Sequence, residues 1–437
     1  MFGRIRFSLL LMTTMAVIGD ALLMPFYPQF FAEQFNIIDP KSSGIYLAAI
    51  CFTVMWAFPF WAHVAKKIPT LFIMVVTQAL AGIFALSCYW VESWPLFWCL
   101  SLAMFVCKAG YLLIYPLLMQ LEAEENHARV IGIVSIIIHF GAILGALLGG
   151  TILQLTNVSK VYWIMATSDF IAMFCCIYLW RNFGIHLQMN QVVIDPALEI
   201  SETPSVDKPV RSWRVYQLGL VMLFFYFGAN VTCPFFVSFW QSISLQQSTL
   251  WSGVIYSIPG IMALCVLWAT RKKNIQIPSI LTLSSVLLIS VLGYALQNIA
   301  TEVSIILGRI IFGIGIYYAS IYLELLIFHG GNKDAYATDV SRVYFFQSLG
   351  VMLSSYCAGI LVDHTNLQAT YYVGAFFLMI TAVAFWLMKS HLIVSHAAHQ
   401  QSKEKSIIPS PSPSPSPSSL ITSQSSPIEF KGVAHDA

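Results

Sequence analysis

Charge is what this 437-residue sequence has least of: Asp, Glu, Lys and Arg together supply 10% of it, against roughly 25% in a soluble domain. So little charge excludes a water-covered globular surface. The net charge of +2 comes without a large basic cluster, so nucleic acid is not an expected partner. None of the nine cysteines forms a C-x-x-C pair, and all lie in apolar runs. They read as buried filler, and neither a disulfide nor a metal site is expected. Also missing are a phosphate-cradling G-x-x-x-x-G-K-[ST] loop and any H-E-x-x-H or G-x-S-x-G constellation. Those absences argue against ATP-driven pumping, enzyme chemistry and a bound cofactor.

What is present is oil. Hydrophobic residues make up 58% of the chain and its mean hydropathy is +0.75. Apolar runs near the roughly 20 residues that cross a bilayer recur along it, separated by short polar or Gly/Pro breaks. They predict helices 1 to 6 at 7–31, 44–64, 71–90, 96–119, 130–155 and 161–181, and helices 7 to 12 at 215–240, 250–270, 278–300, 303–328, 340–362 and 370–388. The first run follows Arg4 and Arg6 as a secretory signal would. It continues past Asp20 to Phe31 with no small-residue cleavage site, so it reads as a retained span.

The expected class is an all-α integral membrane protein of twelve transmembrane helices in two pseudo-symmetric six-helix bundles. The predicted divisions are an N-terminal bundle, 1–183; a cytoplasmic central loop, 184–214; a C-terminal bundle, 215–393; and a disordered Ser/Pro-rich cytoplasmic tail, 394–437. Lys and Arg bias sets orientation. With the N-terminus inside, Arg4, Arg6, Lys66, Lys67, Arg129, Arg181, Lys208, Arg211, Arg271 and Lys389 are cytoplasmic, while outer loops keep only Lys41 and Lys160. Both termini are therefore expected inside, in the plasma (cytoplasmic/inner) membrane.

The halves also match at one shift of 209 residues. Gly19, Pro25, Phe26 and Phe30 correspond to Gly228, Pro234, Phe235 and Phe239; Ser43 and Gly44 to Ser252 and Gly253; Gly141, Gly150 and Tyr162 to Gly350, Gly359 and Tyr371. A parallel duplication builds a central site between two halves.

Twelve spans, inside termini, a central loop and this duplication resemble the major facilitator superfamily over residues 1–393. Helix 5 carries Gly141, Gly145, Gly149 and Gly150 in a pattern similar to the G-x-x-x-G-P-x-x-G-G motif of drug-efflux antiporters, with Ala146 where proline belongs. Small residues at this spacing also serve plain helix packing. Helix 10 carries Arg309, Gly313 and Gly315, similar to an R-x-x-x-G-x-G pattern usual in helix 4, where this chain has Lys108. The loop after helix 2 departs from the family's G-x-x-x-D-R-x-G-R gate: it reads Ala62-His-Val-Ala-Lys66-Lys67-Ile-Pro69-Thr70. The acidic partner and both glycines are gone, which marks a divergent member.

An ionisable group in mid-membrane is costly and faces a wet cavity or a partner. The candidates are Asp20, Lys108, His139, Asp169, Arg309 and Glu324. Thr13, Asp20 and Tyr27 share one face of helix 1. If helix 4 is straight, Ser101, Lys108, Tyr111, Tyr115 and Glu122 fall within about 80°; Arg309, Gly313, Tyr317, Ser320 and Glu324 stripe helix 10. The resemblance implies that helices 1, 4, 7 and 10 line one central cavity. Asp20, Lys108 and Glu324 are the proton-coupling candidates, with Asp20 as coupling carboxylate and Lys108 as counter-ion; a fixed structural ion pair is the alternative. Tyr27, Tyr111, Tyr115, Asn230, Arg309 and Tyr317 are candidate cavity or substrate contacts. Arg309 and Glu324 lie about 22 Å apart along helix 10 and cannot pair with each other. His139 reads as a packing residue and Asp169 as a partner of Ser168 or a neighbouring helix. Pro25 and Pro234 permit bending. The aromatics from Phe26 to Phe31 and Phe235 to Trp240 read as an interfacial belt or, alternatively, as contacts for an aromatic solute.

The function implied is secondary active transport of a small-molecule solute by alternating access, coupled to protons, with the lipid bilayer as solvent and a monomer as the working unit. Efflux is slightly favoured. The alternatives are proton-symport uptake of a nucleoside, peptide or siderophore, and a non-transporting membrane receptor.

Overall fold

The computed structural model describes residues 2–121, 127–188, 208–270, 280–328 and 336–407, and no strand occurs among them. Eleven helices among the described residues are long and apolar enough to cross a membrane. Leu281–Gln297, at the place of helix 9, is shorter, with residues 271–279 before it outside the described set. Residues 189–207, most of the expected central loop, are also outside it, as are Glu122 and the Pro/Ser alternation of 409–418.

Two compact units result, Met1–Lys389 and Ser390–Ala437. The last helix is Ala369–Ile407, so residues 394–407 are helical where a disordered tail was expected. Ala397, Ala398, Gln400, Gln401, Lys403, Glu404 and Lys405 are good helix formers, which explains the extension.

Helices 1 and 7 break at equivalent places. Phe2–Ala21 gives way to a 3₁₀ turn, Met24–Phe26, then Tyr27–Phe35; Lys208–Asn230 gives way to Cys233–Phe235, then Phe236–Ile243. Pro25 and Pro234 lack the amide an unbroken helix needs, which is why the chain tightens there. Helix 4 breaks as well, into Trp94–Lys108, a 3₁₀ turn Ala109–Leu113, and Ile114–Leu121. Pro116 removes the amide that would bond Leu112, so the expected straight polar stripe is interrupted just after Lys108.

Lipid gives apolar faces no reason to associate, so close backbone approach holds the helices. Gly141, Gly145 and Gly149 lie on helix 1: a side chain would meet Val17, Ala21 and the Leu22 carbonyl respectively. Gly150 lies on helix 8, where a side chain would sit 2.7 Å from the Thr249 carbonyl. Gly44 of helix 2 packs on Gly359 of helix 11, with 2.6 Å from an added Cβ to its Cα. Gly253 of helix 8 packs on the Ala146 carbonyl of helix 5. The 209-residue shift that relates Gly44 to Gly253 relates Gly150 to Gly359, so the two seams between the halves are copies of one contact.

Both seams close at the end bearing the short loops 36–39, 156–159, 244–248 and 365–368. There Gln154 of helix 5 accepts from the Ser248 hydroxyl (2.8 Å) and the Leu250 amide (3.0 Å) before helix 8. The broken segments of helices 1 and 7 also touch each other. Their aromatics do not form a lipid-facing belt. Phe26, Tyr27, Phe30, Phe31, Phe235, Phe236, Phe239 and Trp240 are all buried, and Phe31 packs edge-on against Tyr46 (5.0 Å) and Trp94 (4.8 Å). They plug the bundle because the Pro breaks turn them inward.

At the same end Asp39 caps the helix starting at Pro40, accepting from the Lys41 amide (3.0 Å), the Ser42 amide (3.2 Å) and the Ser42 hydroxyl (2.9 Å). Burial opposes its charge, but those hydrogen bonds prevail and hold its carboxyl below the ordinary range. Such a cap stabilises above the ordinary carboxylate pKa and is lost as pH falls through the lowered one. In the loop before helix 10, Ala300 sits at φ 60°, a left-handed conformation costly to any residue with a Cβ. Ala300→Gly is expected to stabilise by about 1 kcal/mol, read as a higher melting temperature of the detergent-solubilised protein.

Candidate functional site

Lys108 ends the first segment of helix 4 with its ammonium inside the N-terminal bundle and its side chain 3% exposed. The turn beyond it lies so close to helix 3 that a Cβ on Gly110 would sit 2.6 Å from the Thr77 hydroxyl. The Nζ lies 3.1 Å from Asp20 Oδ1 of helix 1 and donates to Asp169 Oδ1 of helix 6 at 2.9 Å. Gly19 makes the room, since a side chain there would meet Ser168 Oγ at 3.3 Å and the Lys108 Nζ at 3.8 Å. One cation thus serves two carboxylates on three helices.

The two carboxylates differ. Among the described residues one oxygen of each, Asp20 Oδ1 and Asp169 Oδ2, is buried without a hydrogen-bond partner, but Asp169 is 1% exposed, whereas the Asp20 side chain is 27% exposed and interacts with the Tyr111 hydroxyl. Only Asp20 combines the lysine with access to the interior. Asp169 is not held by Ser168, whose hydroxyl donates instead to the Met15 carbonyl at 2.8 Å. Pairing of Asp169 with Lys108 had one signal in the sequence, a lone carboxylate in the middle of helix 6.

Glu324 lies elsewhere, within electrostatic reach of Tyr115 on helix 4, Tyr226 on helix 7 and Tyr317 on helix 10. Among the described residues it has no ion-pair partner. Tyr317 also spans the halves, its hydroxyl bonding Ser135 and its ring meeting the His139 ring at 5.1 Å. Arg309 joins neither group. Pro259 leaves the Ile255 carbonyl of helix 8 without its helical donor, and the Arg309 Nε donates to it at 3.3 Å. Its Nη2 donates to the Tyr256 carbonyl, and the guanidinium lies 3.9 Å from the Phe236 ring centroid. At 3% exposure it locks the kink of helix 8 to helix 10 rather than lining a cavity.

Tyr27 is likewise inside the aromatic plug, 5.1 Å from the Tyr46 ring, and Asn230 turns back on its own helix to the Tyr226 carbonyl at 2.8 Å. In the loop after helix 2, Lys66 and Lys67 are exposed and pair with no carboxylate among the described residues.

The Major Facilitator Superfamily model matches residues 9–338. The chain belongs to the major facilitator superfamily. Membership in this family of transporters agrees with the all-α membrane fold and points away from an enzyme. No curated protein matches the chain. Among solved structures, a POT family transporter, PepTSo, has a TM-score of 0.72 at 10% identity, covering 89% of this chain and 98% of its own. A bacterial homologue of the human lysosomal transporter Spinster, inward-facing and occupied, gives 0.69 at 14%, with coverage of 88% and 96%. A mutant of the nucleoside transporter NupG gives 0.66 at 13%, with coverage of 88% and 99%. At such identities the likeness is one of fold.

Proposed function

We propose that this chain is a proton-coupled secondary transporter that carries a small organic solute across the plasma (cytoplasmic/inner) membrane by alternating access, with both termini cytoplasmic. The observation that supports it is the sharing of Lys108 between Asp20 and Asp169. Two carboxylates and one ammonium leave one negative charge in excess, and a single proton removes it. The proton is assigned to Asp20, whose side chain is 27% exposed where that of Asp169 is 1% exposed. Once Asp20 is neutral, Lys108 pairs with Asp169 alone and helix 1 loses its ionic tether to helices 4 and 6. Helix 1 also carries, beyond Pro25, half of the aromatic plug at the short-loop end. Release of the tether therefore frees the element that seals that end, which is what coupling requires.

With both termini cytoplasmic the short-loop end is the outer one, and the aromatic plug there supports reading this as a state closed outside. Export is the direction favoured by the glycine pattern of helix 5. Uptake is the alternative, left open by the missing proline at Ala146 and by the altered loop after helix 2. Metabolite profiles of cells with and without the protein, taken under imposed pH gradients of both signs, separate the two. An exporter leaves its solute accumulated in cells lacking the protein and an importer leaves it depleted, in either case with the difference reversing sign or collapsing with the gradient. Profiles indistinguishable under both gradients contradict transport.

A further inference from the structure

The charges that face the interior are not balanced, and that imbalance selects a class of cargo. Among the described residues the ionisable groups inside the bundle are Asp20, Lys108, His139, Asp169, Arg309 and Glu324. Arg309, the group best suited to bind an anion, has its donors on the Ile255 and Tyr256 carbonyls and its face on Phe236. Lys108 is held between two carboxylates. His139 packs on Tyr317. What remains among the described residues is the uncompensated charge of the Asp20 cluster and the carboxylate of Glu324, which has no ion-pair partner there.

Each carboxylate also has aromatic company on helix 4. The Tyr111 hydroxyl interacts with Asp20, and Tyr115, one turn later, lies within electrostatic reach of Glu324. Tyr226 and Tyr317 of the second half lie within electrostatic reach of the same Glu324. A carboxylate among tyrosines suits a cation with an apolar body, through a charge-assisted hydrogen bond or contact and ring-face attraction. An anion there meets two negative centres in a low-dielectric space with both described interior cations already engaged.

We propose that the solute bound between the halves is an organic cation, with Glu324 as its counter-charge and Tyr115, Tyr226 and Tyr317 around it. This rests on the transporter reading for its physiological meaning, but binding alone tests it. The full-length protein in nonionic detergent is titrated calorimetrically with permanent cations graded from tetraethylammonium to tetraphenylphosphonium, and with tetraphenylborate, the isosteric anion of the largest. The expected result is binding of at least one cation, no binding of the borate, a loss of affinity of tenfold or more in Glu324→Gln, and affinity near that of the unmodified protein in Glu324→Asp. Binding of the borate as tight as that of the phosphonium, binding of none of the ions, or unchanged cation affinity in a folded Glu324→Gln variant overturns the proposal. A protein that binds the cations but moves no solute in vesicles overturns the transporter reading instead.

Discussion

Lys108→Met is expected to cost on the order of 3–5 kcal/mol, the usual penalty for stripping one partner from a buried ionic group. Asp20 and Asp169 would then face each other on helices 1 and 6 with no described cation between them. The loss reads out as a large fall in the melting temperature and monodisperse yield of the solubilised protein. A second substitution separates charge from volume. At the 209-residue shift Asp20 corresponds to Ala229 and Asp169 to Leu378, and Gly228 packs there against Leu378, an apolar version of the same helix contact. Lys108→Met with Asp169→Leu is therefore expected to recover much of the lost stability, since apolar residues of similar volume replace buried ion pairs at little cost. Solute transport is expected to stay absent in the double variant. A Lys108→Met protein as stable as the parent contradicts the shared-lysine account.

Gly149→Ala is expected to prevent normal assembly of the N-terminal bundle. An added Cβ would overlap the Leu22 carbonyl oxygen, and that atom belongs to the backbone of helix 1, with no flexible side chain to yield. Helices 1 and 5 must separate, and overpacking of this kind costs about 1–3 kcal/mol or more. The gain in helix propensity from glycine to alanine, about 1 kcal/mol at most, does not offset it. Gly132, lower on the same helix, has nothing among the described residues within 4 Å of an added Cβ. Gly132→Ala is thus expected to be neutral or slightly stabilising. Parallel thermal melts of the two variants check the pair, and equal effects at both positions contradict the packing geometry.

The sequence displays the bundle because bilayer thickness imposes a length on every span, and it displays the two seams because Gly44, Gly150, Gly253 and Gly359 recur at one offset. It displays less of the burial. Lipid-facing and core-facing positions are both apolar, so nothing in the pattern from Phe26 to Phe31 distinguishes an interfacial belt from an internal plug; only the inward turn at Pro25 decides. Pro116 and Pro259 were the legible signs that helix 4 breaks and that helix 8 offers a free carbonyl. The first interrupts the stripe from Ser101 to Tyr115, and the second draws Arg309 away from the cavity the helix 10 pattern had suggested. Asp20 and Lys108 were visible as a pair because each is the one interior charge of its helix. Asp169 was harder to place, since its partner lies 61 residues away in sequence and no local spacing announces it.

The central claim is that a proton on Asp20 governs closure at the short-loop end. Its most direct test needs no knowledge of the solute. Spin labels on cysteines introduced at Ile38 and Leu245, both exposed on loops of opposite halves at that end, report the separation across it in a background cleared of the nine native cysteines. The account predicts a distance distribution that shifts between alkaline and acidic buffer in the parent protein and is fixed, whatever the pH, in Asp20→Asn. A shift of equal size in Asp20→Asn, or a distribution indifferent to pH in the parent, would contradict it.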